Sequence, residues 1–148
     1  MKFCATLNFR EKRGGVGHIC RRLAPIIINR TQRYAYNPDF AWGLLKGNDC
    51  VFVGLRDEWR AFCRDFFPVA YYPTDTLLEL ARIVAGAELF LGNQSFAFAI
   101  AEGLDLPRRL EVRPTHPYND PRTLRGRTFL TRADFQSISE ETVVLRLA

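Results

Sequence analysis

Short apolar runs and amphipathic stretches alternate without a break from Ile26 to Val112. Ile26-Ile27-Ile28, Cys50-Val51-Phe52-Val53-Gly54, Val69-Ala70-Tyr71-Tyr72, Glu88-Leu89-Phe90-Leu91 and Leu110-Glu111-Val112 are too short to be helices and read as buried strands. After the first, Asn37-Pro38-Asp39 reads as a helix start, with Phe40, Leu44 and Leu45 on one side and Gly47 as a stop, which predicts a short helix. After the second, Trp59, Phe62, Cys63 and Phe66 keep helical spacing, an aromatic stripe expected to pack in the core. After the third, Thr76-Leu77-Leu78-Glu79 has the capping-box pattern, Leu77, Leu80, Ala81 and Val84 form the apolar side, and Gly86 ends the helix. After the fourth, Ser95 is placed to cap a last helix, on which Glu102 is expected to face solvent.

Strict alternation of this kind predicts right-handed βαβ units, hence an α/β fold: a Rossmann-like, doubly wound parallel sheet with helices on both faces. A chain of 148 residues holds one such domain. We expect it over residues 25–112, preceded by an irregular basic leader at 1–24 and followed at 113–148 by a loop and short C-terminal elements that pack on it. In that last part Thr128-Phe129-Leu130 and Thr142-Val143-Val144-Leu145 fit short edge strands or a packed tail equally well. In the leader, Gly14-Gly15-Val16-Gly17-His18 follows no clear strand and lacks the Gly-Lys-Ser/Thr end of a P-loop.

Composition narrows the function classes. Hydrophobic residues make up 47% and charged ones 25% of the chain, the balance of a globular protein. A net charge of +5, carried largely by arginine, suits phosphate contact as well as attraction to nucleic acid or an anionic surface. The four cysteines show no CxxC spacing, and neither a signal peptide nor a membrane-length apolar stretch is visible, so a cytoplasmic protein without a transmembrane segment is expected. The two histidines, His18 and His116, stand at no metal-ligand spacing, and no nucleophile elbow is present. No metal, cofactor or catalytic residue is assigned.

A doubly wound order of 3-2-1-4-5 makes the exits of the first and fourth strands neighbours at the switch point, where such sheets bind ligands. Those exits, Asn29 to Tyr34 and Gly92 to Ser95, are the two most polar in the chain. Arg30 and Arg33 are candidates to neutralise a diphosphate; Thr31 and Ser95 offer hydroxyls; and amides after Ser95 could complete an anion site. Glu58, after the second strand, could accept hydrogen bonds from ribose hydroxyls. Each has a plainer alternative: a solvated charge pair for the arginines, helix capping for Asn93 and Ser95, and a first-turn carboxylate complementing the helix dipole for Glu58.

The stretch ELARIVAGAELFLGNQSFAFAIAEGLDLP resembles the donor-binding segment of the heptosyltransferase-like glycosyltransferases, family nine, of GT-B fold, whose pattern there is LxELAxxIxxAxLFVGNDSGPxHLAAALGxP. IIINRTQRYAYNPDFAW and CVFVGLRDEWRAF resemble the first two βα units of the same carboxyl-terminal half, so the likeness covers about residues 25–112. It implies a nucleotide-diphosphate-sugar site built from Asn29, Arg30, Thr31, Arg33, Glu58, Asn93, Gln94 and Ser95. Departures are visible: Gln94-Ser95-Phe96 stands for the family's Asp-Ser-Gly, Ala99 stands near its histidine, and its phosphate-binding lysine after the first strand is missing. The amino-terminal half that carries acceptor contacts in that family is expected to be missing, since about two dozen residues precede the likeness. The expectation is therefore a donor-binding domain, incomplete as an enzyme without an acceptor domain, with a partner chain or self-association covering the open side. The alternative is a non-catalytic module on a degenerate glycosyltransferase fold that contacts protein or, without sequence preference, nucleic acid.

Overall fold

β1 (Ile26–Asn29) is buried at every position, and so are β2 (Cys50–Val53) and β4 (Leu89–Asn93), the strands of the sheet's middle. The computed structural model describes residues 23–36, 42–112, 121–129 and Asp134. β3 (Ala70–Tyr72), β5 (Arg108–Glu111) and β6 (Gly126–Phe129) complete a six-stranded sheet in the order β3-β2-β1-β4-β5-β6, with every neighbouring pair parallel. The expected order holds, and a sixth strand extends it: Thr128 and Phe129 belong to an edge strand beside β5.

Alternate side chains of the central strands feed two cores, as a two-faced buried sheet requires. On one face Ile26, Ile28, Phe52, Leu89 and Leu91 meet Trp42 and Phe62. Trp42 sits edge-on to Phe62 at 5.4 Å and to Phe129 at 5.7 Å, so the aromatic stripe of α1 (Arg56–Asp65) is core packing as expected. On the other face Ile27, Val51, Val53 and Phe90 meet Leu80, Ile83 and Val84 of α2 (Leu77–Ala85) and Ala97, Phe98 and Ala101 of α3 (Phe96–Gly103). Among its described residues the connection between β1 and β2 contains a 3-10 turn at Trp42–Leu45; the expected helix start at Asn37 to Asp39 lies outside the described residues, as do the leader's glycine cluster, both histidines and Thr142 to Leu145.

Three local expectations need correcting. Leu77 faces water together with Leu78, because the buried side of α2 runs through Leu80, Ile83 and Val84. The cap of α2 is there, with Thr76 Oγ1 accepting from the Glu79 N–H at 3.1 Å, but the Glu79 carboxylate reaches back to the N–H of Asp75 rather than that of Thr76. Glu102 does not simply face solvent: it accepts from Arg108 Nε at 2.5 Å and from the Arg122 N–H at 2.9 Å. Arg108 is fully buried at the head of β5, and Asp105 and Thr123 also take its guanidinium. This clasp ties the end of α3 to the approach to β6 on the amino side of the sheet.

Candidate functional site

At the carboxyl ends of β1 and β4 the backbones come together unusually closely. Gly92 makes this possible: a Cβ there would lie 2.7 Å from the carbonyl oxygen of Asn29 and 2.9 Å from the Phe90 ring. Beyond that point the strand exits are joined by side-chain amides. Asn93, fully buried, accepts the N–H of Thr31 at 2.9 Å and donates to the carbonyl of Thr31 at 2.7 Å, copying the two-bond pattern of a strand pair with a side chain. Asn29, 4% exposed, donates to the carbonyl of Val53 at 2.7 Å, which joins the ends of β1 and β2.

Gly54 follows β2 with φ of +128°, a left-handed backbone that only glycine takes readily. A Cβ on it would stand 2.5 Å from Asn29 Nδ2 and 3.3 Å from Glu58 Oε2. Glu58 is on the first turn of α1, where it accepts the N–H of Leu55 at 3.2 Å. Partial burial pushes its carboxyl above the ordinary value, and the backbone N–H groups of Leu55 and Gln32 pull part of the way back. Its plainer role as a first-turn carboxylate is thus real, with the difference that it also feels the β1 exit loop through the Gln32 amide.

Ser95 caps α3, its Oγ accepting from the Phe98 N–H at 3.1 Å, so the helix begins at the mouth of the switch point. Gln94 beside it is half-buried. Arg33 is exposed and lies over the Tyr34 ring at 5.3 Å. Arg30 is neither solvated nor turned outward. It is 8% exposed and packs over Phe66 at 5.0 Å, while its Nε and Nη2 form a fork on Glu111 at 2.8 and 3.0 Å. Two polar atoms at this junction, Asn29 Oδ1 and Thr31 Oγ1, are buried without a hydrogen-bond partner. Such atoms are rare in native proteins and mark places where water or a ligand belongs.

All eight residues singled out from the sequence thus sit at or just beyond the carboxyl ends of β1, β2 and β4, and hydrogen bonds join Asn29 to β2 and Thr31 to Asn93. Sequence reasoning missed Gly54 and Glu111. The position of Gly54 directly behind a buried strand was a usable signal; Glu111, set between Leu110 and Val112, gave none beyond its being a charge there. Among the described residues no three His, Cys, Asp or Glu side chains are grouped to hold a metal, and no helix is long and apolar enough to cross a membrane.

No family model matches the chain, and no curated protein matches it. Among solved structures it is similar to E. coli heptosyltransferase WaaC with ADP-2-deoxy-2-fluoro heptose, with 17% sequence identity and a TM-score of 0.56 over 80% of this chain and 43% of that one. The chain therefore spans less than half the length of the protein it matches. The likeness shows the fold: a Rossmann-like sheet of the type that forms one half of a GT-B glycosyltransferase.

Proposed function

We propose that the chain is a glycosyltransferase-like domain, related to family nine, whose switch-point crevice binds a nucleotide-diphosphate sugar, and that it transfers nothing without an acceptor domain. The observation that carries this reading is the pair of unpartnered buried atoms, Asn29 Oδ1 and Thr31 Oγ1, at the end of β1, on the side of the sheet where α3 begins. Diphosphate oxygens suit the free amides of α3 and the guanidinium of Arg33, while the Glu58 carboxylate retains lone pairs for ribose hydroxyls. Arg30, spent on Glu111, supports the site from behind. The likeness to a heptosyltransferase structure that carries an ADP-sugar analogue supports the ligand class.

The surface supports the second half of the proposal. Among the described residues, seven large apolar side chains are exposed, and five of them, Tyr36, Leu55, Leu77, Leu78 and Phe96, follow the carboxyl ends of strands. An apolar border around a polar crevice suits coverage by a partner domain, a partner chain or a second copy. Calorimetric titration with ADP-, GDP- and UDP-sugars tests the ligand class. We expect one of them to bind, and Arg33→Ala to weaken it by about tenfold. Folded protein that gives no heat with any of the three would overturn the reading.

A further inference from the structure

Glu111 is the last residue of β5 and only 2% exposed, yet four N–H groups converge on its carboxylate: Arg30 Nε at 2.8 Å, Arg30 Nη2 at 3.0 Å, the backbone of Tyr36 at 3.1 Å and the indole of Trp42 at 3.2 Å. A buried carboxylate is tolerated only when its charge and lone pairs are met in this way. The donors come from the beginning and the end of the segment that leaves β1, and from the 3-10 turn beyond it. The middle of that segment is held by two hydrogen bonds between Thr31 and Asn93 of β4. The exit loop of β1 is therefore fastened to the ends of β4 and β5, and Glu111 secures both of its flanks.

We propose that Glu111 is a positioning residue for the switch-point crevice: by holding Arg30, Tyr36 and Trp42 it sets where Thr31, Gln32 and Arg33 present themselves to a bound nucleotide. This rests on the nucleotide reading above and adds to it a residue that touches no ligand. It also reverses the part expected of Arg30. The guanidinium acts as a planar fork on Glu111, not as a counter-charge for phosphate, and its place between Phe66 and Trp42 keeps it on the core side of the loop.

The two roles of Arg30 predict opposite signs for Glu111→Gln, which leaves the arginine charge uncompensated. If Arg30 were a phosphate ligand restrained by Glu111, the variant would bind ADP more tightly and with a steeper salt dependence. As a positioning residue, Glu111→Gln weakens ADP by about tenfold with the salt dependence unchanged. Arg30→Lys, which keeps the charge and loses the fork, weakens it likewise. Hydrogen–deuterium exchange on the full chain without ligand gives the independent readout. The Thr31 amide, bonded to Asn93, is expected to exchange about tenfold faster in both variants while those of Val51 to Val53 keep their protection. Tighter binding, wild-type affinity in Arg30→Lys, or acceleration shared equally by the β2 amides overturns the proposal. If wild type ignores ADP, the nucleotide reading fails, and the exchange pattern alone decides: local acceleration retains the positioning of the loop, and its absence refutes it. If Glu111→Gln does not fold, Arg30→Lys and Glu111→Asp carry the same comparison.

Discussion

Gly54 concentrates the constraints of the crevice in one residue. Its backbone at φ +128° disfavours any side chain, and the space a methyl would need is taken by the Asn29 amide, which is itself bound to the carbonyl of Val53. Gly54→Ala has to strain the backbone and break or shift that amide. We expect a loss of about 1–3 kcal/mol in urea unfolding, and loss of nucleotide binding beyond what the lower stability explains. A variant as stable as wild type would mean that the turn has room to rearrange. Cys50 illustrates the contrary case, a chemically reactive type made inert by its place: burial, with the charge of Asp49 behind it, pushes its thiol up to about 12, so little thiolate exists near neutrality.

At the scale of elements, α2 and α3 start in the same way, with a hydroxyl accepting the amide three residues on, and differ in what lies in front of them. Thr76→Ala and Ser95→Ala should each cost about 1 kcal/mol in thermal or urea unfolding. Only Ser95→Ala should also weaken nucleotide binding, since only α3 opens on the switch point. Equal effects on binding would remove α3 from the site. Most elements between Ile26 and Val112 were legible because β1, β2 and β4, buried on both faces, read as apolar runs, and because capping signals are local. What was not legible depends on distance along the chain. β5 begins at Arg108, which reads as a loop until its acceptors Glu102, Asp105 and Thr123 are seen around it. The switch-point loops were readable as polar strand exits. That Arg30 pairs with Glu111 was not, because this partner stands 81 residues later at the end of a strand.

Among the described residues three carboxyl groups are shifted, and they respond to pH in opposite directions. Glu102 and Asp105 are held below the ordinary carboxylate range, chiefly by Arg108 for the first and by Thr123, then Arg108, for the second. A depressed carboxyl contributes stability above its unfolded pKa and loses it as pH falls through the folded one. Glu58 is raised, mainly by burial, so its contribution is present at low pH and is lost as pH rises from the unfolded value through the raised one. Stability measured by urea unfolding should therefore fall more gently below about pH 4 in a Glu102→Gln/Asp105→Asn variant than in wild type, once both are scaled to their values at neutrality. Glu58→Gln should flatten the curve just above that range. Parallel curves for all three would mean that other groups govern the acid limb.

The fastening of the β1 exit loop to Asn93 and Glu111 has a consequence for the thermodynamics of recognition. Ordering a free loop around a ligand costs roughly 1–2 kcal/mol for each residue whose backbone is fixed. Here Asn93 holds Thr31 and Glu111 holds Arg30 and Tyr36 before any ligand arrives, so that entropy is lost during folding rather than on binding. Association with this jaw should then show a small entropy penalty and a heat-capacity change set by the ligand's own buried surface.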